Sequence, residues 1–272
     1  MKIYFINIDS RTERKKFIEQ QIKKLDLKAE RISAITPDHI NIDEFKKKYV
    51  VNISPPELCC SLSHEFIWKK IIAEKNQYGI VLEDDVILSK HLKTFISILE
   101  TSKYNFDLLR IETRLEKVRY AAPKFTLNKH FKARKIYDDV AGTAAYVISK
   151  SYCEKLLQYP DRFSQALDQI LFYKKSHGEI YGNFLQIFPA LAIPLDVSLN
   201  QIDVDKNKIV RSDIALIRAK RRPKTLSKQS LSQKIEREIK RLIVQVAILP
   251  KVIFYGLSKR KSFLKHNIYF SE

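Results

Sequence analysis

Glu83, Asp84 and Asp85 stand together inside an otherwise apolar run, YGIVLEDDVIL, at residues 78–88. Charged side chains seldom enter such a run without a partner, and three neighbouring carboxylates repel unless a cation neutralises them. On a continuous extended strand, Glu83 and Asp85 share one side and Asp84 takes the other. Two carboxylates on one side suit a hard divalent ion, Mn2+ or Mg2+, which takes oxygen ligands and completes its shell with water and substrate phosphates. The same triplet also reads as a β-turn that ends the strand with its acids in solvent. Spacing alone leaves both readings open.

Other residues could serve an anionic ligand beside these acids. Arg11 and Arg14 lie one helical turn apart after the first apolar run. A guanidinium suits phosphate, and so do the free N–H groups of a helix start. With Lys15 and Lys16 adjoining, the pair equally forms a solvated basic face. Asn7 and Asp9 close the first run and are placed to hydrogen-bond a nucleoside. Ser63 and His64 share a long helical stretch, where His64 is either a neighbour of metal or phosphate or a core histidine. Trp68 reads as core and Cys60 as packing. Arg110 ends an apolar run and either pairs with an acid or reaches a ligand.

Alternating strands and helices must carry these groups. Residues 2–8 (KIYFINI) predict a first strand and AERISAI (29–35) a second. Ser10 with Glu13 reads as a capping box opening a helix to about Leu25. Ser54-Pro55 opens a longer helix ending near Gln77, since proline suits the first helical position. The acid-bearing strand follows, then a helix at 91–101 and strands at 106–111 and 142–149. A helix after Ser149, a helical stretch at 166–175 and an extended one at 184–194 complete the pattern. Such alternation argues an α/β fold, a sheet with helices on its faces. Ligands in open α/β sheets bind at the carboxyl ends of the strands, where the acids fall.

Composition bounds the rest. The 272 residues are 45% hydrophobic and 30% charged, enough apolar surface for a real core, which excludes a disordered chain. Three cysteines, two of them adjacent, exclude a disulfide scaffold and fit free thiols in a reducing compartment. The opening MKIYFINID does not read as a secretory signal, and no run of 18 apolar residues reads as a membrane span. Net charge is +19, and it is uneven: residues 206–272 hold 18 Lys and Arg against 4 Asp and Glu. Ile235, Ile239, Leu242, Ile243 and Val246 form a helical stripe there, opposite Arg237, Lys240 and Arg241. A basic amphipathic stretch of this kind suits an anionic membrane surface. Packing on the protein's own core is the competing reading. Nucleic acid is not expected, because phosphate contacts alone would not need the aliphatic stripe.

Taken in order, several segments resemble glycosyltransferase family 25, the lipooligosaccharide-type galactosyltransferases. FINIDSRTERKKF resembles the family's opening motif, with Asn7, Asp9, Arg11 and Arg14. AERISAI, with Arg31, resembles the next strand. ELCCSLSHEFIWKKI, with Cys60, Ser63, His64 and Trp68, resembles a helix motif. YGIVLEDDVIL resembles the acidic strand, GTAAYVISKSYCEKLL the segment with Gly142 and Tyr146, and ALDQILF a late segment with Asp168. Cys59, where a small residue is usual, and the long basic extension depart from the pattern.

The resemblance implies a GT-A-like Rossmann-type nucleotide-sugar-binding domain over residues 1–205, with a basic, helical C-terminal extension over 206–272. It implies transfer of a hexose, galactose before glucose, from a UDP-sugar to a lipid-linked oligosaccharide, with inversion and a divalent metal. Glu83 and Asp85 are then the expected metal ligands. Asn7, Asp9, Arg11, Arg14, Ser63, His64 and Asp84 are the expected donor-binding residues, and Asp168 the candidate general base. The extension would hold such an enzyme on the cytoplasmic face of the inner membrane. An inactive relative, or a basic protein that binds nucleic acid or a partner, is the alternative.

Overall fold

The computed structural model describes residues 1–101, 104–173, 182–198 and 265–272. In chain order the elements are β1 (Lys2–Asn7), α1 (Thr12–Lys24), β2 (Ala29–Ser33), α2 (Ile42–Lys48), α3 (Pro55–Ala73), β3 (Tyr78–Glu83), β4 (Val86–Leu88) and α4 (Leu92–Thr101). There follow β5 (Leu108–Arg110), β6 (Lys117–Val118), β7 (Tyr120–Thr126), β8 (Lys132–Ile136), β9 (Ala145–Ser149) and α5 (Lys150–Gln158). The last are α6 (Leu167–Phe172), β10 (Phe184–Phe188), β11 (Ala192–Pro194), α7 (Leu195–Ser198) and β12 (His266–Asn267).

Eight strands form one mixed sheet in the order β2-β1-β3-β9-β5-β10-β8-β7. β1 runs parallel to both β2 and β3, and β9 is antiparallel to its neighbours β3 and β5. The fold is therefore α/β, as the alternating pattern predicts, and its sheet is mixed. Ile80, Val81 and Leu82 of β3 are wholly buried, because helices cover both faces and leave no side for a polar alternation. One face packs on Ile18 and Ile22 of α1 and Leu92, Phe95 and Ile96 of α4. The other packs on Ile67, Trp68 and Ile71 of α3 and on Tyr152, Leu156 and Ile170 of α5 and α6. Each such aliphatic side chain contributes roughly 1.5–3 kcal/mol when fully buried.

Helix starts divide into one expectation met and one corrected. Ser54 and Glu57 form the capping box of α3: the Ser54 N–H donates to Glu57 Oε2 at 2.9 Å and its hydroxyl at 2.5 Å. The expected Ser10 cap does not form. The Arg11 N–H donates to Ile8 O at 2.8 Å, a turn takes up Ser10, and α1 begins only at Thr12. α3 also ends at Ala73, earlier than expected.

Residues 265–272 return to the body of the fold. β12 pairs with β6, Ile268 is wholly buried, and the Ala190 N–H donates to Tyr269 O at 2.8 Å. These residues, the end of the expected extension, pack beside Thr113 and Val118. The boundary expected near residue 205 and the amphipathic stripe at 235–246 lie outside the described residues. Among the described residues, no helix is long and apolar enough to cross a membrane.

Candidate active site

The carboxyl ends of β1 and β3 lie side by side, with Ile6 paired to Glu83 in register. β3 stops at Glu83, and Asp84 and Asp85 make a turn before β4. The expected strand alternation of Glu83 and Asp85 is therefore corrected, since the backbone turns between them. The alternative of acids facing solvent is corrected as well: Asp84 is buried, and all three acids line a cavity of about 610 Å3.

A chain of polar contacts fixes the acids. Asn7, buried at the end of β1, donates from Nδ2 to Asp84 Oδ2 at 2.6 Å and to Arg11 O at 3.1 Å. Its Oδ1 accepts from Arg31 Nε at 3.1 Å and Nη2 at 3.0 Å. Both ends of the amide are thus engaged inside the protein, and Asn7 holds Asp84 while lining the large cavity. Arg14, from the first turn of α1, reaches Asp85 Oδ2 at 3.0 Å and Asp84 Oδ1 at 3.3 Å. Thr143 donates to Glu83 Oε1 at 2.7 Å.

Burial and the neighbouring charge of Glu83 push the Asp85 carboxyl up to about 7. Burial raises Asp84 too. Burial alone would raise Glu83, but His64 and the Thr143 hydroxyl outweigh it and hold this carboxyl below its usual range. A carboxyl that resists ionisation beside two others is one that a cation would stabilise. The oxygen donors of Glu83 and Asp85 fit a hard divalent ion, with Arg14 balancing part of the charge.

The other expected residues divide by place. Arg11, Ser63 and His64 line the large cavity. Ser63 Oγ accepts from the Ile35 N–H at 2.9 Å and donates to Cys59 O at 2.8 Å, so it fixes the cavity wall formed after β2. Asp9 is not brought in, which corrects its expected donor contact: it is exposed and pairs with Arg31 and with Ser33 at 2.8 Å. Cys60, read as packing, lines the cavity beside the acids. Arg110 is wholly buried away from it, with Glu116 Oε1 at 2.9 Å and Glu112 Oε1 at 3.6 Å.

Asp168 opens onto a second cavity of about 230 Å3. Its Oδ2 accepts from the Gly142 N–H at 3.3 Å and its Oδ1 from the Gln169 N–H at 3.0 Å. Gly142 has φ +95°, a left-handed conformation that disfavours a side chain, and a Cβ there would stand 3.1 Å from Glu112 Oε2. Cys60, Glu83 and Asp85 line both cavities, so the acids form the wall between two chambers.

Several site residues escape sequence reasoning. Arg114 and Asp196, joined at 2.6 Å, line the second cavity, and Thr143 bonds Glu83. Only position offers a signal for them: Asp196 follows the apolar run 184–194, and Thr143 precedes β9.

The chain is similar to a set of known proteins. The profile described as Glycosyltransferase family 25 (LPS biosynthesis protein) matches residues 1–171. The lipooligosaccharide biosynthesis protein lex-1 of Haemophilus influenzae is 28% identical over 65% of the chain and 60% of its own length. The lipooligosaccharide biosynthesis protein lic2B of Haemophilus influenzae is 22% identical over 98% of both chains. The lacto-N-neotetraose biosynthesis glycosyltransferase LgtE of Neisseria meningitidis serogroup B is 29% identical over 51% of the chain. The chain thus spans about 60% of lex-1 and 52% of LgtE.

Proposed function

The chain belongs to glycosyltransferase family 25, and from that premise we propose that it transfers a hexose, galactose before glucose, from a UDP-sugar to a lipooligosaccharide-type acceptor. The observation that carries this reading is the pair of chambers meeting at Glu83 and Asp85. A sugar transferase needs a donor chamber and an acceptor chamber that share one reacting carbon.

In this reading the donor fills the larger cavity. Its apolar flank, with Ile6, Ile8, Ala34 and Pro37, takes the uracil ring, and the acid end takes the diphosphate. Glu83 and Asp85 would hold a divalent ion, which would supply Lewis-acid neutralisation of the departing diphosphate. Asn7 and Arg14 keep the turn at Asp84 and Asp85 in place, and Arg11 lies on the same cavity for a phosphate oxygen. The acceptor enters the second cavity. An Asp168 carboxylate oxygen takes the proton of the acceptor hydroxyl as that oxygen bonds the anomeric carbon and the UDP oxygen leaves from the opposite face, which inverts the centre. Gly142 and Gln169 N–H groups orient that carboxylate.

The test is UDP release from a panel of UDP-sugars with Mn2+, with Mg2+ and with EDTA. Metal-dependent turnover of one donor is the expected result. No turnover and no calorimetric binding of any UDP-sugar would overturn the reading in favour of an inactive relative. The lipid-linked acceptor and a peripheral place on the cytoplasmic face of the inner membrane belong to the same proposal, supported by the basic extension.

A further inference from the structure

We infer that Cys60, His64 and Glu83 form a second, overlapping cation site, suited to a zinc-class ion rather than to magnesium. Cys60 and His64 are four residues apart on α3 and so project from one helix face. That face meets the end of β3, and one ligand atom from each of Cys60, His64 and Glu83 lies within 4.8 Å of the others. Metal bonds of about 2.0–2.3 Å draw such atoms somewhat closer, a movement that side-chain rotation supplies.

The histidine supplies the second observation. His64 is wholly buried, yet its Nε2 has no hydrogen-bond partner among the described residues and stands 3.7 Å from Glu83 Oε1. Its Nδ1 lies 2.8 Å from the Tyr146 hydroxyl, whose oxygen also accepts from Trp68 Nε1 at 3.0 Å. A bound ion requires the tautomer in which Nδ1–H donates to Tyr146. Nε2 then turns a bare lone pair toward a thiol and a carboxylate. In the opposite tautomer the Tyr146 O–H donates to Nδ1 and Nε2–H faces Glu83 Oε1 at 3.7 Å, so an ion binds by displacing that proton. Metal-binding histidines are held in this way, with the outer N–H fixed by an oxygen.

The donor set decides the class of ion. Sulfur, nitrogen and oxygen together suit Zn2+ or Co2+, whereas Mg2+ keeps to oxygen. Cys60 and Glu83 line both cavities, which leaves the ion's remaining position open to them. Glu83 belongs to both sites, so an ion held here competes with the hard ion proposed at Glu83 and Asp85. The inference needs no sugar transfer to hold.

Titration of the full chain with Co2+, in a thiol-free reductant and without sugar nucleotide, tests it. A near-ultraviolet thiolate-to-cobalt band at one equivalent, with visible bands of four-coordinate cobalt, is expected, and Zn2+ should displace both. Cys60→Ser should remove the thiolate band, while Cys59→Ser and Cys153→Ser should keep it. Tyr146→Phe should weaken cobalt binding about tenfold. In the unmodified chain Zn2+ should slow iodoacetamide alkylation of Cys60, read by mass spectrometry, which keeps the test sound if Cys60→Ser fails to fold. No thiolate band, a band that survives in Cys60→Ser, or alkylation indifferent to Zn2+ would overturn the site and leave His64 a support for Glu83. Donor turnover in Mg2+ without a cobalt band would sink this inference alone. A cobalt band without turnover of any UDP-sugar would sink the transferase reading alone.

Discussion

At the scale of residues, each carboxyl does what its surroundings allow. Asp85 faces both chambers and shares the turn with two other acids. Asp85→Asn should lower turnover at least about 100-fold while leaving the thermal transition near that of the parent, as loss of one charge-stabilising group does. Near-parental turnover in that variant would remove Asp85 from the site. Asp168→Asn should lower kcat by about 10²–10⁴, the usual contribution of general-base catalysis, with donor binding by calorimetry unchanged. Glu112 is a different case. It is wholly buried, and burial pushes its carboxyl from 4.5 up to about 8 even with Arg110 beside it. The folded chain therefore keeps this proton over a range where the unfolded chain has released it. Stability from this group is full below about 4.5 and declines as pH rises toward and past 8. Urea unfolding across that range should show the decline, and Glu112→Gln should flatten it.

At the scale of elements, two serine-led sequences with the same spacing behave differently, and the difference marks what a sequence can convey. Ser54 caps α3 because Pro55 fixes the first helical turn and Glu57 reaches back to it. Ser54→Ala should cost about 1 kcal/mol in urea unfolding. Ser10 has the same acid three residues on, but the tight turn from Ile8 to Arg11 uses the serine first. The buried strands β1, β3 and β9 are legible because continuous apolar runs have few other ways to be buried. The hairpin of β7 and β8 is not. β7 is mostly exposed, contains Pro123, and pairs with β8 through register shifts, so neither period nor propensity reveals it. The candidate site was legible at Glu83, Asp84 and Asp85, where charge interrupts a core strand. It was not legible at Arg114, Asp196 or Thr143, whose roles depend on tertiary packing that brings separate loops to one chamber.

At the scale of the whole molecule, charge is uneven: a cluster of acids lines the chambers, while most of the basic excess lies in residues 206–272. Replacing Arg218, Lys220, Arg221, Arg222 and Lys224 by glutamine should weaken binding to anionic vesicles in a co-sedimentation assay, since each surface cation adds about 1 kcal/mol. Unchanged binding would end the membrane proposal. Neutralisation is a cleaner test than truncation, because the last residues belong to the body. Ile268→Ala should destabilise the fold by about 2–5 kcal/mol, measured by urea unfolding, because a wholly buried aliphatic side chain is lost.

The return of residues 265–272 also bears on how the molecule is made. Their partners, Thr113, Glu116 and Val118, emerge from the ribosome long before them. This corner of the fold therefore stays open through the synthesis of some 150 residues, including the entire basic segment. A nascent chain halted at residue 205 would carry every motif of the family and still lack the piece that covers Val118. Closure of this corner therefore waits for residues 265–272, which are made only after the cationic segment.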